Sequence, residues 1–224
     1  MLLKKHNSYC YKLEKMNFLG AVFNFNQFIN WMSSLVAQGN SSGNQLTPQL
    51  LGFIALNLKR IERLNKTIEL NDELLTALVL LQNKQHWVVI SEAWCGDSAQ
   101  TLPVIAKIAE LSNGMIDLQI ILRDENPELM NKYLTNGSKS IPKLIAFGDR
   151  KNELFTWGPR PAAAQEIFWN WKNNPNGKTW DDFEKELHTW YAKDKTKAIQ
   201  SELLIMLKKS KQTTPSKKFT FSKN

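Results

Sequence analysis

His86-Trp87-Val88-Val89-Ile90-Ser91-Glu92-Ala93-Trp94-Cys95-Gly96-Asp97-Ser98 is the stretch that decides the fold. Residues 86–91 form a short apolar run rich in β-branched and aromatic side chains, the pattern of a strand buried on both faces. An amphipathic helix is expected from Gly96 to about Leu111, and Met115 to Leu122 reads as a second buried strand. Strand, helix and strand in this order predict a parallel β-α-β unit with a cysteine at its first strand-to-helix junction.

Working outward, Asn126-Pro127-Glu128 opens a helix through Leu134, which Asn136-Gly137 stops. Ile141-Pro142 introduces a third strand, Lys143 to Phe147. Asp149-Arg150-Lys151-Asn152 turns it into a fourth, Glu153 to Trp157. Pro161 starts a helix through about Trp171, and a last helix is expected from about Thr179 toward Leu207. Upstream, apolar residues from Phe18 to Val36 recur every three or four positions and predict one helix over 17–36. A second follows Pro48, and a third is capped at Asn71 or Asp72. The expected fold is a small mixed α/β sheet with helices on both faces, extended by helices at the N-terminus and a long helix at the C-terminus. The expected organisation is a leader over 1–16, an N-terminal helical part over 17–84, an α/β core over 85–173, a C-terminal helix over 174–207 and a disordered basic tail over 208–224.

Composition closes off several functions. The chain of 224 residues holds two cysteines, Cys10 and Cys95, and three scattered histidines, too few for a disulfide framework or a cysteine-rich metal site. No metal and no resident cofactor are expected. The net charge of +8 suggests nucleic acid until it is located. Lys208, Lys209, Lys211, Lys217, Lys218 and Lys223 carry six of those charges in a segment without acids, which leaves +2 on the other 207 residues. Nucleic-acid binding is therefore not expected, and no membrane partner is implied. The absence of a signal-peptide pattern points to the cytoplasm.

Cys95 is the candidate reactive group. A thiol at the start of a helix faces unpaired N–H groups and the positive end of the helix dipole, which favour thiolate. Trp94 can cover the sulfur, Ser98 can offer a hydrogen bond, and Asp97 opposes ionisation by like charge. The balance predicts a thiol that titrates below a free cysteine. A lone cysteine is also commonly just a small buried residue. Position, together with Pro142 just before a strand, favours the reactive reading. Cys10 lies in a Lys-rich leader and is expected to take no part. Arg123 and Asp124 are read as a structural ion pair, and Arg160 as equally a structural residue or a group that steers an anionic thiol. Trp169, Trp171, Trp180 and Trp190 are read as helix-packing core.

Trp94-Cys95-Gly96-Asp97-Ser98 resembles the Trp-Cys-Gly-Pro-Cys active site of the thioredoxin family, with Asp for Pro and Ser for the second Cys. Pro103 matches the proline of that family's active-site helix, and Ile141-Pro142 its cis-proline dipeptide. Gly158 stands where the family keeps a glycine beside the substrate groove. Glu92 to Gln100, Leu122 to Asn126, Leu134 to Gly137, Ile141 to Leu144 and Trp157 to Pro161 resemble a bacterial thioredoxin-like subgroup. The resemblance implies a thioredoxin-like fold, Cys95 as nucleophile, and substrate held along Ile141, Pro142, Gly158 and Arg160. Ser98 removes the resolving cysteine, Val89 replaces a buried aspartate, and no first edge strand is found ahead of residue 86. The implied activity is a monothiol cycle on mixed disulfides of protein thiols, with a low-molecular-weight thiol such as glutathione or bacillithiol as co-substrate. The rival implication is a non-catalytic interaction module of the same fold.

Overall fold

Strand β2 (Gln85–Ser91) is the centre of the sheet because both its faces are covered: Trp87, Val88, Val89 and Ile90 are each fully buried. The computed structural model describes residues 18–42 and 47–212, so Cys10 and the expected leader lie outside the described residues. β2 pairs in parallel with β3 (Ile116–Leu122) and antiparallel with β4 (Lys143–Gly148). β4 continues into an antiparallel hairpin with β5 (Glu153–Trp157). A two-residue strand, β1 (Val22–Phe23), lies antiparallel on β3 and completes the order β1-β3-β2-β4-β5.

β1 corrects the expectation of one helix over 17–36. Helix α1 (Phe25–Gln38) begins only after Asn24, whose side chain accepts from the Gln27 N–H while the Gln27 side chain accepts from the Asn24 N–H. This reciprocal cap satisfies two orphan donors and frees the preceding residues to pair as a strand. The edge strand is present after all, concealed by an apolar periodicity that spans two elements.

Helices α2 (Pro48–Thr67) and α3 (Asp72–Val79) start at Thr47 and Asn71, each accepting a backbone N–H from three residues on. With α1 and α4 (Gly96–Leu111) they form one large core against Trp87, Val89 and Ile120. On the opposite face, α5 (Pro127–Lys132) supplies Met130 to a smaller cluster with Val88, Ile90, Ile121, Ile145 and Cys95. α6 (Ala162–Asn173) follows Pro161 as expected.

The expected single C-terminal helix is two. α7 (Trp180–Asp194) ends where Lys195 and Thr196 adopt φ values of 51° and 67°, a left-handed step that no continuous helix allows. The Asp194 carboxylate then accepts the Ala198 N–H and starts α8 (Lys197–Gln212). α8 buries Leu203, Leu204 and Leu207 in the main core, each contributing about 1.5–3 kcal/mol. Its last turn takes in residues assigned to the basic tail. Lys208 pairs with Glu73 at 3.7 Å and buried Ser210 accepts from Gln85, so helical order runs to Gln212 because its stripe still meets the core. Residues 213–224, the rest of the expected tail, lie outside the described residues.

The α6–α7 pair has its own small core of Ala164, Phe183, Leu187 and Tyr191. The tryptophans expected to form that core stand at its edge instead: Trp171 and Trp190 are half-buried against it, and Trp180 is 45% exposed. Phe183 holds the centre, and the Trp171 and Trp180 rings pack on it at 5.0 and 5.1 Å.

Candidate active site

Cys95 is the N-cap of α4, and its thiol lies at the helix's first turn. The Ser98 N–H donates to Sγ at 3.4 Å, and the S–H donates to the Ile141 carbonyl, also at 3.4 Å. The Ser98 hydroxyl, which accepts from Ser91 at 2.8 Å, favours thiolate as well. The Ile141–Pro142 and Gly158–Pro159 bonds are both cis. Gly158 has φ 112°, and a side chain there would overlap the Pro142 carbonyl oxygen. Buried Lys143 donates to Thr135 Oγ1 at 2.6 Å and to the Gly158 carbonyl at 3.3 Å. Three motifs separate in sequence thus meet on one lysine beside the Cys95 loop.

The thiol is not depressed, contrary to what helix position alone predicts. Cys95 is only 7% exposed, and burial followed by the nearby Asp97 charge pushes it up to about 11. Ser98 and Arg160 pull the other way and lose. Loss of water around the sulfur, which is packed among Ile141, Ile145 and Trp94, outweighs what the helix terminus offers a thiolate.

Asp97 explains part of that burial. Its Oδ2 pairs with Arg160 Nη2 at 2.7 Å, and its Oδ1 accepts from the Tyr191 hydroxyl at 2.8 Å. Burial raises the Asp97 carboxyl more than Arg160 and Tyr191 lower it. Arg160, for which the sequence leaves two roles open, is thereby committed to Asp97, with further contacts to Gln165 at 3.3 Å and the Phe168 ring at 4.8 Å. Arg123 and Asp124 do pair, at 2.8 Å, but Arg123 also lies 4.8 Å over the Trp94 ring, so it belongs to the wall of the site.

Two elements that nothing in the sequence connects with Cys95 close over this arrangement. From α7, Tyr191 reaches Asp97 and His188 accepts from the Gln100 amide at 3.2 Å. From α2, Arg60 donates to Asn57 at 3.0 Å, and Asn57 donates to the Ala93 carbonyl at 3.2 Å. His188 and Arg60 both press on Gly96, where an added Cβ would stand 3.1 Å from His188 Nε2 and 3.5 Å from Arg60 Nη1. Between them is a cavity of about 290 Å³ opening on Cys95. No local signal marks these residues, since their roles arise only when the helices pack. Glu92 is a further residue the sequence does not single out. It is 1% exposed, takes the Asp124 N–H at 3.1 Å on one oxygen, and is pushed up by burial.

His188 carries a pH prediction. Burial, reinforced by Arg60 and Arg160, lowers it from 6.5 to about 4. The folded protein keeps it neutral where the unfolded chain protonates, so stability is complete above about pH 6.5 and falls as pH drops toward about 4. His188→Gln should flatten that decline in denaturant titrations at pH 4.5 and 7. An equal decline in the variant would assign the acid sensitivity to other groups.

A thioredoxin family model matches residues 47–175, more than half of the chain. The chain belongs to the thioredoxin family. Within this family it is similar to a protein disulfide isomerase-like 2-3 of Oryza sativa subsp. japonica, 34% identical over 104 residues. That match covers 46% of this chain and 23% of the relative. It is also similar to an M-type chloroplastic thioredoxin of Pisum sativum, 27% identical over 108 residues, covering 47% of this chain and 61% of the relative. The chain thus spans less than two thirds of either relative's length. Among solved structures, a Pseudomonas aeruginosa protein of unknown function superposes with a TM-score of 0.51 at 16% identity. The match covers 83% of this chain and 98% of that one, a likeness of fold. Among the described residues, no group of three or more His, Cys, Asp or Glu side chains is placed to hold a metal ion, and no helix is long and apolar enough to cross a membrane.

Proposed function

We propose that this thioredoxin-family protein carries out thiol–disulfide exchange through Cys95 alone, on mixed disulfides between a protein thiol and a low-molecular-weight thiol. The observation that carries the reading is the seat of Sγ. It lies at the N-terminus of α4, 3.4 Å from both the Ser98 N–H and the Ile141 carbonyl, on the wall of a cavity with room for a small thiol. Ser98 holds the position from which a second cysteine would attack, so an internal disulfide cannot form there.

In the first step Cys95 thiolate attacks the small-thiol sulfur, forming the Cys95 mixed disulfide and expelling the protein thiolate, which takes up the proton Cys95 gave up. A second small thiol then attacks the bound small-thiol sulfur. The two small thiols leave as their disulfide, and Cys95 returns to the thiol. The substrate protein's thiol is released reduced, and the second small thiol is oxidised, the first having entered already in a disulfide.

The raised thiol sets the pH dependence. With Cys95 near 11, about one sulfur in ten thousand is thiolate at pH 7. Alkylation by iodoacetamide should therefore climb about tenfold per pH unit and keep rising past pH 9, where an ordinary cysteine levels off. The deciding assay follows release of a protein thiol from its small-thiol mixed disulfide, with small thiol supplied. Wild type should turn over while leaving the insulin disulfide at background, and Ser98→Cys should gain insulin reduction. Cys95→Ser should lose both activities. Absence of mixed-disulfide turnover in wild type at pH 9 overturns the reading.

The burial of Cys95 favours a second reading in that event, a thioredoxin-fold module that binds extended peptide along Ile141 and Pro142 without chemistry. Peptide binding that survives Cys95→Ser would support it.

A further inference from the structure

The cavity on Cys95 has more cationic than anionic side chains on its walls: Arg60, Arg123, Lys139 and Arg160 against Asp97 and Glu184. Three of the cations are accounted for. Arg160 is paired with Asp97, Arg123 is paired with Asp124 and stacked on Trp94, and Lys139 is exposed to water. Arg60 is different. It is half-buried, and it donates to a neutral acceptor, Asn57 Oδ1. Among the described residues no carboxylate oxygen comes within ion-pairing distance of it.

A guanidinium has five donors in a planar fork, so one bond to Asn57 leaves capacity for a bidentate anion. Arg60 is also aimed. Asn57 is tied to the Ala93 carbonyl two residues before Cys95, and the bare Gly96 backbone lets Nη1 come close to the loop. A cation removed from water and held beside a nucleophile lowers its free energy by taking an anion from the ligand that reaches the sulfur.

We infer that Arg60 is the carboxylate-binding residue of the Cys95 cavity and that the small thiol handled there is a carboxylate-bearing one. This rests on the exchange reading above and names its substrate class. The anion-steering role that the sequence leaves open for Arg160 passes to Arg60, because Arg160 is occupied by Asp97.

The test compares two symmetric disulfides of similar size, 3,3′-dithiodipropionate and bis(2-hydroxyethyl) disulfide. Their rate constants for modifying Cys95 at pH 9 in low salt are read by intact mass. Wild type should favour the dicarboxylate by about tenfold, the scale of one charge-assisted pair. Arg60→Met should bring the ratio close to one, and Arg60→Lys should recover part of it. Glu184→Gln should raise the ratio by removing the opposing charge, so the test includes a gain as well as a loss if Arg60→Met folds poorly. A preference due to the protein's overall positive charge would survive Arg60→Met. Survival, or a wild-type ratio of one, overturns the inference and leaves the exchange reading standing. Failure of both disulfides to modify Cys95 instead overturns the exchange reading. Binding of 3,3′-dithiodipropionate to Cys95→Ser, followed by tryptophan fluorescence, then decides the cavity: loss on Arg60→Met supports the site, and no binding overturns it.

Discussion

Asp97→Ala should destabilise the protein by about 3–5 kcal/mol, because it strands the Arg160 guanidinium in the interior without its counter-charge. The two side chains are 12% and 7% exposed, so water cannot replace the lost partner. Tyr191 loses its acceptor in the same change. Chemical denaturation should show a large fall in midpoint with little change in slope. Adding Arg160→Met should recover much of the loss, since the stranded charge goes with it. A single-variant cost below about 1 kcal/mol would mean the pair is screened as a surface pair is. Asp97→Asn also leaves Arg160 without a counter-charge and should itself be destabilising, but it adds a readout on the thiol. It keeps an acceptor for Tyr191, removes the negative charge that pushes Cys95 up, and should move the alkylation profile to lower pH.

Gly158→Ala should cost about 2–5 kcal/mol, combining a backbone conformation disfavoured for any L side chain with an overlap that only a main-chain shift can relieve. The φ of 112° lies outside the range L residues adopt readily. The added carbon would meet the Pro142 carbonyl oxygen, the Pro142 carbonyl carbon and the Lys143 Cα, all main chain. Relief therefore means shifting the segment that holds the Ile141 carbonyl against Sγ, so the proposed exchange activity should fall with stability. Gly114→Ala is the control. Its φ of 79° is also positive, but open space surrounds it, so only the conformational cost of about 1 kcal/mol applies. Equal losses at the two positions would show that crowding at Pro142 contributes nothing.

Local chemistry makes much of the sheet legible. The β2 run, the Pro and Asn caps, and the turn from Asp149 to Asn152 all act within a few residues, and the elements they delimit match the observed strands and helices closely. Errors fall where one residue pattern serves two elements. Phe18 to Val36 keeps a helical spacing across β1 and α1, and the periodicity from Thr179 onward runs through the Lys195–Thr196 break. Both breaks are set by backbone conformation and capping, to which hydrophobic spacing is insensitive.

At the site, the order of residues alone places Cys95 at the start of a helix, a serine three positions on, and the Ile141-Pro142 edge ahead of a strand. These are facts of covalent order. The state of the sulfur and the identity of its neighbours are settled by packing. Desolvation depends on what lies over Cys95, and α7 and α2 arrive from far along the chain with Tyr191, His188 and Arg60. The same packing makes Asp97 a buried partner of Arg160 while it still opposes the Cys95 thiolate, and it leaves Arg60, among the described residues, without a carboxylate within ion-pairing distance. A helix terminus can be read from a string of residues; the loss of water around it cannot, because water is excluded by every segment that folds against it.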